Sequence, residues 1–113
     1  MENCIFCKII AGDIPSPRLY EDEQMIVIKD IEPKAKLHYL CIPKTHFALF
    51  AEMDEEKAEI VKHCFKIIPT LEEKLGLQGG YRVIVNQGED GGQTVQHLHF
   101  HLLAGRGLQW PPG

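Results

Sequence analysis

The apolar positions of this chain keep two different periods. Met25–Ile28, His38–Ile42 and Tyr81–Val85 are runs rich in Ile, Val, Leu and Tyr, each bounded by Asp, Pro, Gly or Asn, and each predicts a strand. Between the second and third runs, Val61, Cys64, Phe65, Ile68, Leu71 and Leu75 recur at three- and four-residue steps, which makes one apolar face of a helix. Asp54 is placed as its N-cap, Glu55 and Glu56 suit its first turn, and Gly76 stands where a C-terminal cap belongs. Pro69 has no N–H to give and predicts a kink or a loosened turn inside that stretch. His97–Leu103 alternates imidazole with apolar side chains and predicts a fourth strand, preceded by a loop over 86–93 that holds Gly88, Gly91 and Gly92. Strands, then one long helix, then strands argue for an α+β fold with a mainly antiparallel sheet.

Length and composition narrow this further. At 113 residues the expectation is a single domain over 1–113. Twelve Lys and Arg against sixteen Asp and Glu give a net charge of -4, with no block of five like charges, so no broad basic surface for nucleic acid is expected. The apolar runs are a few residues long, far short of the roughly 20 that cross a bilayer, so no membrane span is expected either. Met1-Glu2-Asn3-Cys4 does not open a secretory signal, which points to the cytoplasm and to reduced thiols among the four cysteines. Cys4 and Cys7 therefore suggest metal or redox chemistry, whereas Cys41 and Cys64 lie on apolar faces and read as core.

The densest chemistry is at His97, His99 and His101. In a strand these three point to one face while Leu98, Phe100 and Leu102 point to the core. Half of the six histidines falling within five residues argues against a merely solvated polar face. A single metal ion is a poor fit for all three, because Cα atoms four residues apart on a strand are separated by about 13 Å, against Zn–N bonds of about 2 Å. Nucleophilic attack on phosphorus fits better: a neutral imidazole attacks with one nitrogen while a hydrogen bond to the other fixes the tautomer. His99, the central member, is the candidate, and the loop from Gly88 to Thr94 offers backbone N–H groups and a hydroxyl to an anion. His63, among charged helix neighbours, is expected at the solvated surface.

The run His97-Leu98-His99-Phe100-His101-Leu102-Leu103 matches the signature of the histidine triad (HIT) family in full, and the chain resembles that family along nearly its whole length. The resemblance extends through Asp30-Ile31-Glu32-Pro33-Lys34-Ala35, His38, Ile42-Pro43-Lys44-Thr45-His46, Gly80-Tyr81-Arg82, Val85-Asn86 and Trp110-Pro111-Pro112-Gly113, and it is strongest to the HINT branch. It implies a HIT-like fold, with about five strands, one long helix and a short N-terminal helix. It also implies a homodimer that hydrolyses nucleoside 5'-phosphoramidates of the adenosine 5'-monophosphoramidate type and binds purine nucleotides such as AMP or GMP. By the same resemblance His99 forms a nucleotidyl-histidine, His101 contacts the phosphate, His38 belongs to a relay beneath the triad, and His97 completes the catalytic set. Asp30 matches the carboxylate that holds the ribose, Ile31 and Leu40 the base pocket, and Asn86, Gly92, Gln93, Thr94 and Val95 the phosphate side. Trp110 belongs to a tail that reaches the partner's site. A subset of the family holds a structural zinc, which maps here onto Cys4, Cys7, His46 and His97 and leaves catalysis free of metal. Thr94 stands where Ser is frequent, and Ile28 where some relatives carry an aromatic base-side wall. A dinucleoside polyphosphate hydrolase and a nucleotide-binding scaffold are the competing readings.

Overall fold

The structure is a computed structural model and describes residues 3–112. Five strands form one antiparallel sheet: β1 (Tyr20–Glu21), β2 (Met25–Lys29), β3 (Leu37–Pro43), β4 (Tyr81–Ile84) and β5 (Phe100–Ala104), in the order β1-β2-β3-β5-β4. The hydrophobic pattern marked four of these; β1 is two residues long and offers no period to detect. The register sets Tyr39 between Lys29 and Leu102, and Cys41 between Val27 and Phe100.

Alternation along β2, β3 and β5 builds a core on each face of the sheet. Met25, Val27, Tyr39, Cys41, Phe100 and Leu102 are buried under the long helix, with Cys64, Ile68, Leu71 and Leu75. Ile26, Ile28, Leu40 and Ile42 are buried on the opposite face against Phe6 and Ile9 of α1 (Ile5–Ala11). Each such side chain contributes about 1.5–3 kcal/mol by leaving water. Because both faces are covered, Met25–Ile28 is apolar throughout rather than alternating.

The helical segment follows its sequence signals closely. Asp54 caps α2 (Glu55–Ile67) by accepting the Lys57 N–H at 2.8 Å. Pro69 falls in a 3-10 turn over Ile68–Leu71, after which α3 (Glu72–Leu75) closes at Gly76 with φ 76°. Phe65, expected on the inner face, is half exposed, although its ring lies 5.1 Å from that of Phe100. His63 departs from its expected solvated state: its Nε2 lies 2.6 Å from Asp22 Oδ2 and ties α2 to the turn between β1 and β2. Among the described residues no helix is long and apolar enough to cross a membrane.

Candidate active site

The fourth predicted strand is shorter than its sequence suggested. His97, Leu98 and His99 lie outside the ladder of β5, whose last pair with β3 is Phe100 with Cys41. The cause is local: β3 runs on to Pro43, but opposite its last residues the Leu98 N–H turns away to the Phe47 carbonyl at 2.6 Å. Alternation nonetheless persists, with Leu98, Phe100 and Leu102 in the core under α2. His99 and His101 stay neighbours, their ring centroids 4.9 Å apart. His97 turns away into a bend, where its ring meets His46.

The backbone assigns the protonation of each imidazole. The His97 carbonyl lies 2.7 Å from His99 Nδ1 and can only accept, so Nδ1 carries the proton and Nε2 keeps its lone pair. Every fully buried side-chain N or O atom among the described residues has a partner; His99 Nε2 has none and therefore reaches the surface, although the residue is only 6% exposed. The Lys34 N–H donates to His38 Nδ1 at 3.0 Å, which leaves the His38 proton on Nε2. That proton is donated to His101 Nδ1 at 2.9 Å, with Asp30 Oδ2 3.4 Å away, and so His101 carries its own proton on the outward Nε2. A nucleophilic lone pair and a donor stand side by side. Burial, opposed by the hydrogen bond that His99 donates to the His97 carbonyl, lowers the pKa of His99. Burial first, then repulsion from cationic His99 and His38, takes His101 to about 4. Burial lowers His38 as well, so all three favour the neutral form at pH 7, as attack by an imidazole requires.

Asp30 commits Oδ1 to the Glu32 N–H at 2.7 Å, at the end of the site beyond His38. Ile28 and Leu40, buried and paired across the β2–β3 ladder, floor the sheet near it, whereas Ile31 is 92% exposed. The glycine-rich loop is built by two glutamines. Gln87 accepts the Phe50 N–H at 2.6 Å, and buried Gln93 bridges the Gly88 N–H at 2.9 Å to the Ala48 carbonyl at 3.0 Å. Gly91 leaves no room for a Cβ, which would stand 2.4 Å from the Gln87 carbonyl, and Gly92 has φ 81°. Thr94 is exposed beside this clamp, Val95 packs against the Phe6 cluster, and Asn86 is half-buried where β4 gives way to the loop. Trp110 stands 81% exposed, behind a tail held by a hydrogen bond from Arg82 to the Gln109 carbonyl at 3.0 Å.

Cys4, Cys7, His46 and His97 converge, with one ligand atom of each within 4.8 Å of all the others. The Pro43 carbonyl accepts the proton of His97 Nε2 at 2.7 Å and so aims an unprotonated Nδ1 into the cluster. Nδ1 of His97 lies 3.3 Å from Cys4 Sγ, 3.6 Å from Cys7 Sγ and 3.1 Å from His46 Nδ1, and Cys7 Sγ lies 3.4 Å from His46 Nδ1. A tetrahedral ion with Zn–N near 2.0–2.1 Å and Zn–S near 2.3 Å requires ligand atoms about 3.3–3.8 Å apart. The donor set and its edges fit such an ion. Three contributors escaped the sequence reading: Phe6, whose ring meets His97 at 5.9 Å and His99 at 4.9 Å, and the backbone groups of Pro43 and Lys34. Backbone partners leave no residue-type signal.

The class defined by this sheet and this histidine cluster recurs among known proteins. The family model described as scavenger mRNA decapping enzyme C-term binding matches residues 3–108. The crystal structure of a HIT family hydrolase from Legionella pneumophila superposes with a TM-score of 0.93 at 40% identity, over 98% of this chain and 100% of that one. A histidine triad nucleotide-binding protein from Candida albicans gives a TM-score of 0.82 at 35% identity, over 96% of this chain and 83% of that one. A 14 kDa zinc-binding protein of Zea mays is 43% identical over 111 residues, covering 96% of this chain and 87% of its own. The chain belongs to the histidine triad family.

Proposed function

We propose that the chain is a nucleoside 5'-phosphoramidate hydrolase acting through a covalent nucleotidyl-His99 intermediate. The observation that carries this reading is the 2.7 Å bond from His99 Nδ1–H to the His97 carbonyl, which frees Nε2 for attack. Nε2 forms a bond to phosphorus as the P–N bond to the amine breaks, and the amine takes a proton from water as it leaves. His101 Nε2–H donates to a phosphoryl oxygen, where charge grows, and His38 holds His101 in the tautomer that makes this donation possible. A water then attacks phosphorus, breaks the bond to Nε2, and releases the nucleoside 5'-monophosphate. Asp30 takes the ribose hydroxyls, Ile28, Ile31 and Leu40 the base of AMP or GMP, and the backbone and side chains from Asn86 to Val95 the phosphate. The names of the Legionella and Candida proteins, a hydrolase and a nucleotide-binding protein, support the coarser part of this reading, hydrolysis and nucleotide binding.

In the same reading Cys4, Cys7, His46 and His97 hold zinc, supported by the fit of their distances and by the zinc-binding maize relative. The ion there supplies folding free energy and no reacting group. A cytoplasmic homodimer completes the assignment: Trp110 at 81% exposure and Val83 at 42% on the edge strand β4 are apolar surface that a second copy would cover. The test is His99→Ala, assayed by amine release from adenosine 5'-phosphoramidate with a dinucleoside polyphosphate in parallel. Turnover of the phosphoramidate should fall by several orders of magnitude while AMP still binds. Turnover near that of the unaltered protein would sink the covalent route.

A further inference from the structure

The metal-type cluster is not sealed. A cavity of about 510 Å³ opens beside it, walled by Asn3 to Ile5 on one side, by the 94–96 segment on the other, and by His46. Cys4 lines this cavity and Cys7 does not. Cys4 is also the N-cap of α1, where its Sγ accepts the Cys7 N–H at 3.4 Å, and the two sulfurs lie within 4.8 Å of each other. Rotation about the two side chains closes that gap to the roughly 2.05 Å of a disulfide within a single helical turn. The other two cysteines, Cys41 and Cys64, are fully buried.

The cluster is joined to the triad through His97, whose imidazole faces the sulfurs while its carbonyl fixes the His99 proton. A second joint is Phe6, which stands in α1 between the two cysteines and packs edge-on to His99 at 4.9 Å. We propose that Cys4 and Cys7 form a thiol–disulfide exchange site, reached by small disulfides through this cavity, whose closure expels the bound ion and loosens the seat of His99. The proposal rests on the reading of these residues as a metal site and of His99 as the nucleophile.

The chemistry balances with a low-molecular-weight disulfide as the oxidant. The Cys4 thiolate attacks one sulfur of that disulfide and forms a mixed disulfide, releasing one small thiolate. The Cys7 thiolate then attacks Cys4 Sγ, closing the Cys4–Cys7 bond and releasing the second. Two electrons pass from the protein to the small disulfide, two protons from water neutralise the released thiolates, and the ion leaves because its two anionic ligands are gone.

The experiment treats the zinc-loaded full-length chain with oxidised glutathione. Peptide mapping should find the Cys4–Cys7 disulfide with Cys41 and Cys64 still reduced, and a chromogenic chelator should count one zinc released per disulfide. Amine release should fall about fivefold and return with dithiothreitol plus zinc, and the 15N shifts of the His99 ring should change in parallel. Cys7→Ser should accumulate one glutathionyl group on Cys4, and the mapping of the unaltered chain decides the matter even if that variant folds poorly. Zinc retained with both thiols unreacted, oxidation of Cys41 or Cys64 first, or a stoichiometric disulfide with unchanged rate and unchanged His99 shifts would each overturn the proposal. If the reduced protein does not turn over the phosphoramidate, the hydrolase reading fails, and the disulfide, the released zinc and the His99 shifts still decide this one.

Discussion

Among the described residues two clusters bring together side chains that bind metals elsewhere, and their backbones send them to opposite chemistries. Cys4, Cys7, His46 and His97 form one; Asp30, His38 and His101 form the other. In the first, the Pro43 carbonyl draws the His97 proton outward and leaves a lone pair facing in. In the second, the Lys34 N–H takes the lone pair of His38 Nδ1 and leaves an Nε2 proton facing in. An ion placed there would meet an N–H, and His38 would have to give up either that proton or its bond to Lys34 before it could bind. A donor that points inward makes a relay, and an acceptor that points inward makes a ligand. One main-chain hydrogen bond of opposite polarity separates the two.

The strongest way to break this comparison is to remove the ion from the first cluster. Replacing Cys4 and Cys7 by Ser, or stripping metal from the reduced protein with a chelator, should cost about 3–5 kcal/mol and lower Tm by at least ~10 °C. The fraction that remains folded should keep its hydrolysis rate within about tenfold, since the reacting nitrogens belong to His99 and His101. Thermal melts beside rates at a temperature where the stripped protein is folded would settle it. Immediate loss of activity by orders of magnitude in a folded protein would make the metal catalytic.

The second cluster is tested by His38→Ala. Without the Nε2–H of His38, His101 Nδ1 loses its donor, and the proton that His101 should present outward is free to move inward. The rate should drop about 10²-fold, the scale of a misplaced proton donor, which is about 2.7 kcal/mol at the transition state. Metal content should stay at about one ion per chain. A fall from two ions to one in this variant would show that Asp30, His38 and His101 hold metal after all, and the polarity argument would be wrong.

How much of this was legible beforehand depends on which groups carry it. The strand runs, the capped helix, its break at Pro69 and the alternation from Leu98 to Leu102 are side-chain patterns, and the sequence displays them. So is the triad signature, which led to the family. The departure of His97 from the strand was not visible, because it follows from a hydrogen bond between Leu98 N–H and the Phe47 carbonyl. The roles of Pro43 and Lys34 were hidden for the same reason: their main-chain atoms act, and every residue type but proline carries both such atoms. Phe6 reads in sequence as one more apolar helix residue. Its edge contact with His99 depends on how α1 lies across the sheet, which no local period encodes.

A histidine–carboxylate pair outside both clusters, His63 with Asp22, sharpens the comparison with the smallest effect, because it serves neither metal nor catalysis. Asp22 Oδ2 accepts from Tyr20 OH at 2.8 Å and meets His63 Nε2 at 2.6 Å, while Oδ1 accepts the N–H groups of Gln24 and Met25 at 2.7 and 3.0 Å. Burial alone would raise the carboxyl pKa, but His63 and the other donors outweigh it and hold Asp22 at about 2, below its ordinary value of 3.8. A carboxyl depressed by folding adds stability that is complete above about pH 4 and is lost as pH falls toward 2. Asp22→Asn keeps the shape and removes the charge. With a quarter of each side chain still in water, the cost at pH 7 should be about 1 kcal/mol, or a Tm lower by about 4–8 °C. The difference between the two proteins should be the same in urea melts at pH 7 and 5 and smaller at pH 3, with hydrolysis rate and metal content unchanged at pH 7. A gap of the same size at all three pH values would mean that Asp22 acts through its shape and not its charge, and a change in rate would mean that this side of the sheet reaches the triad.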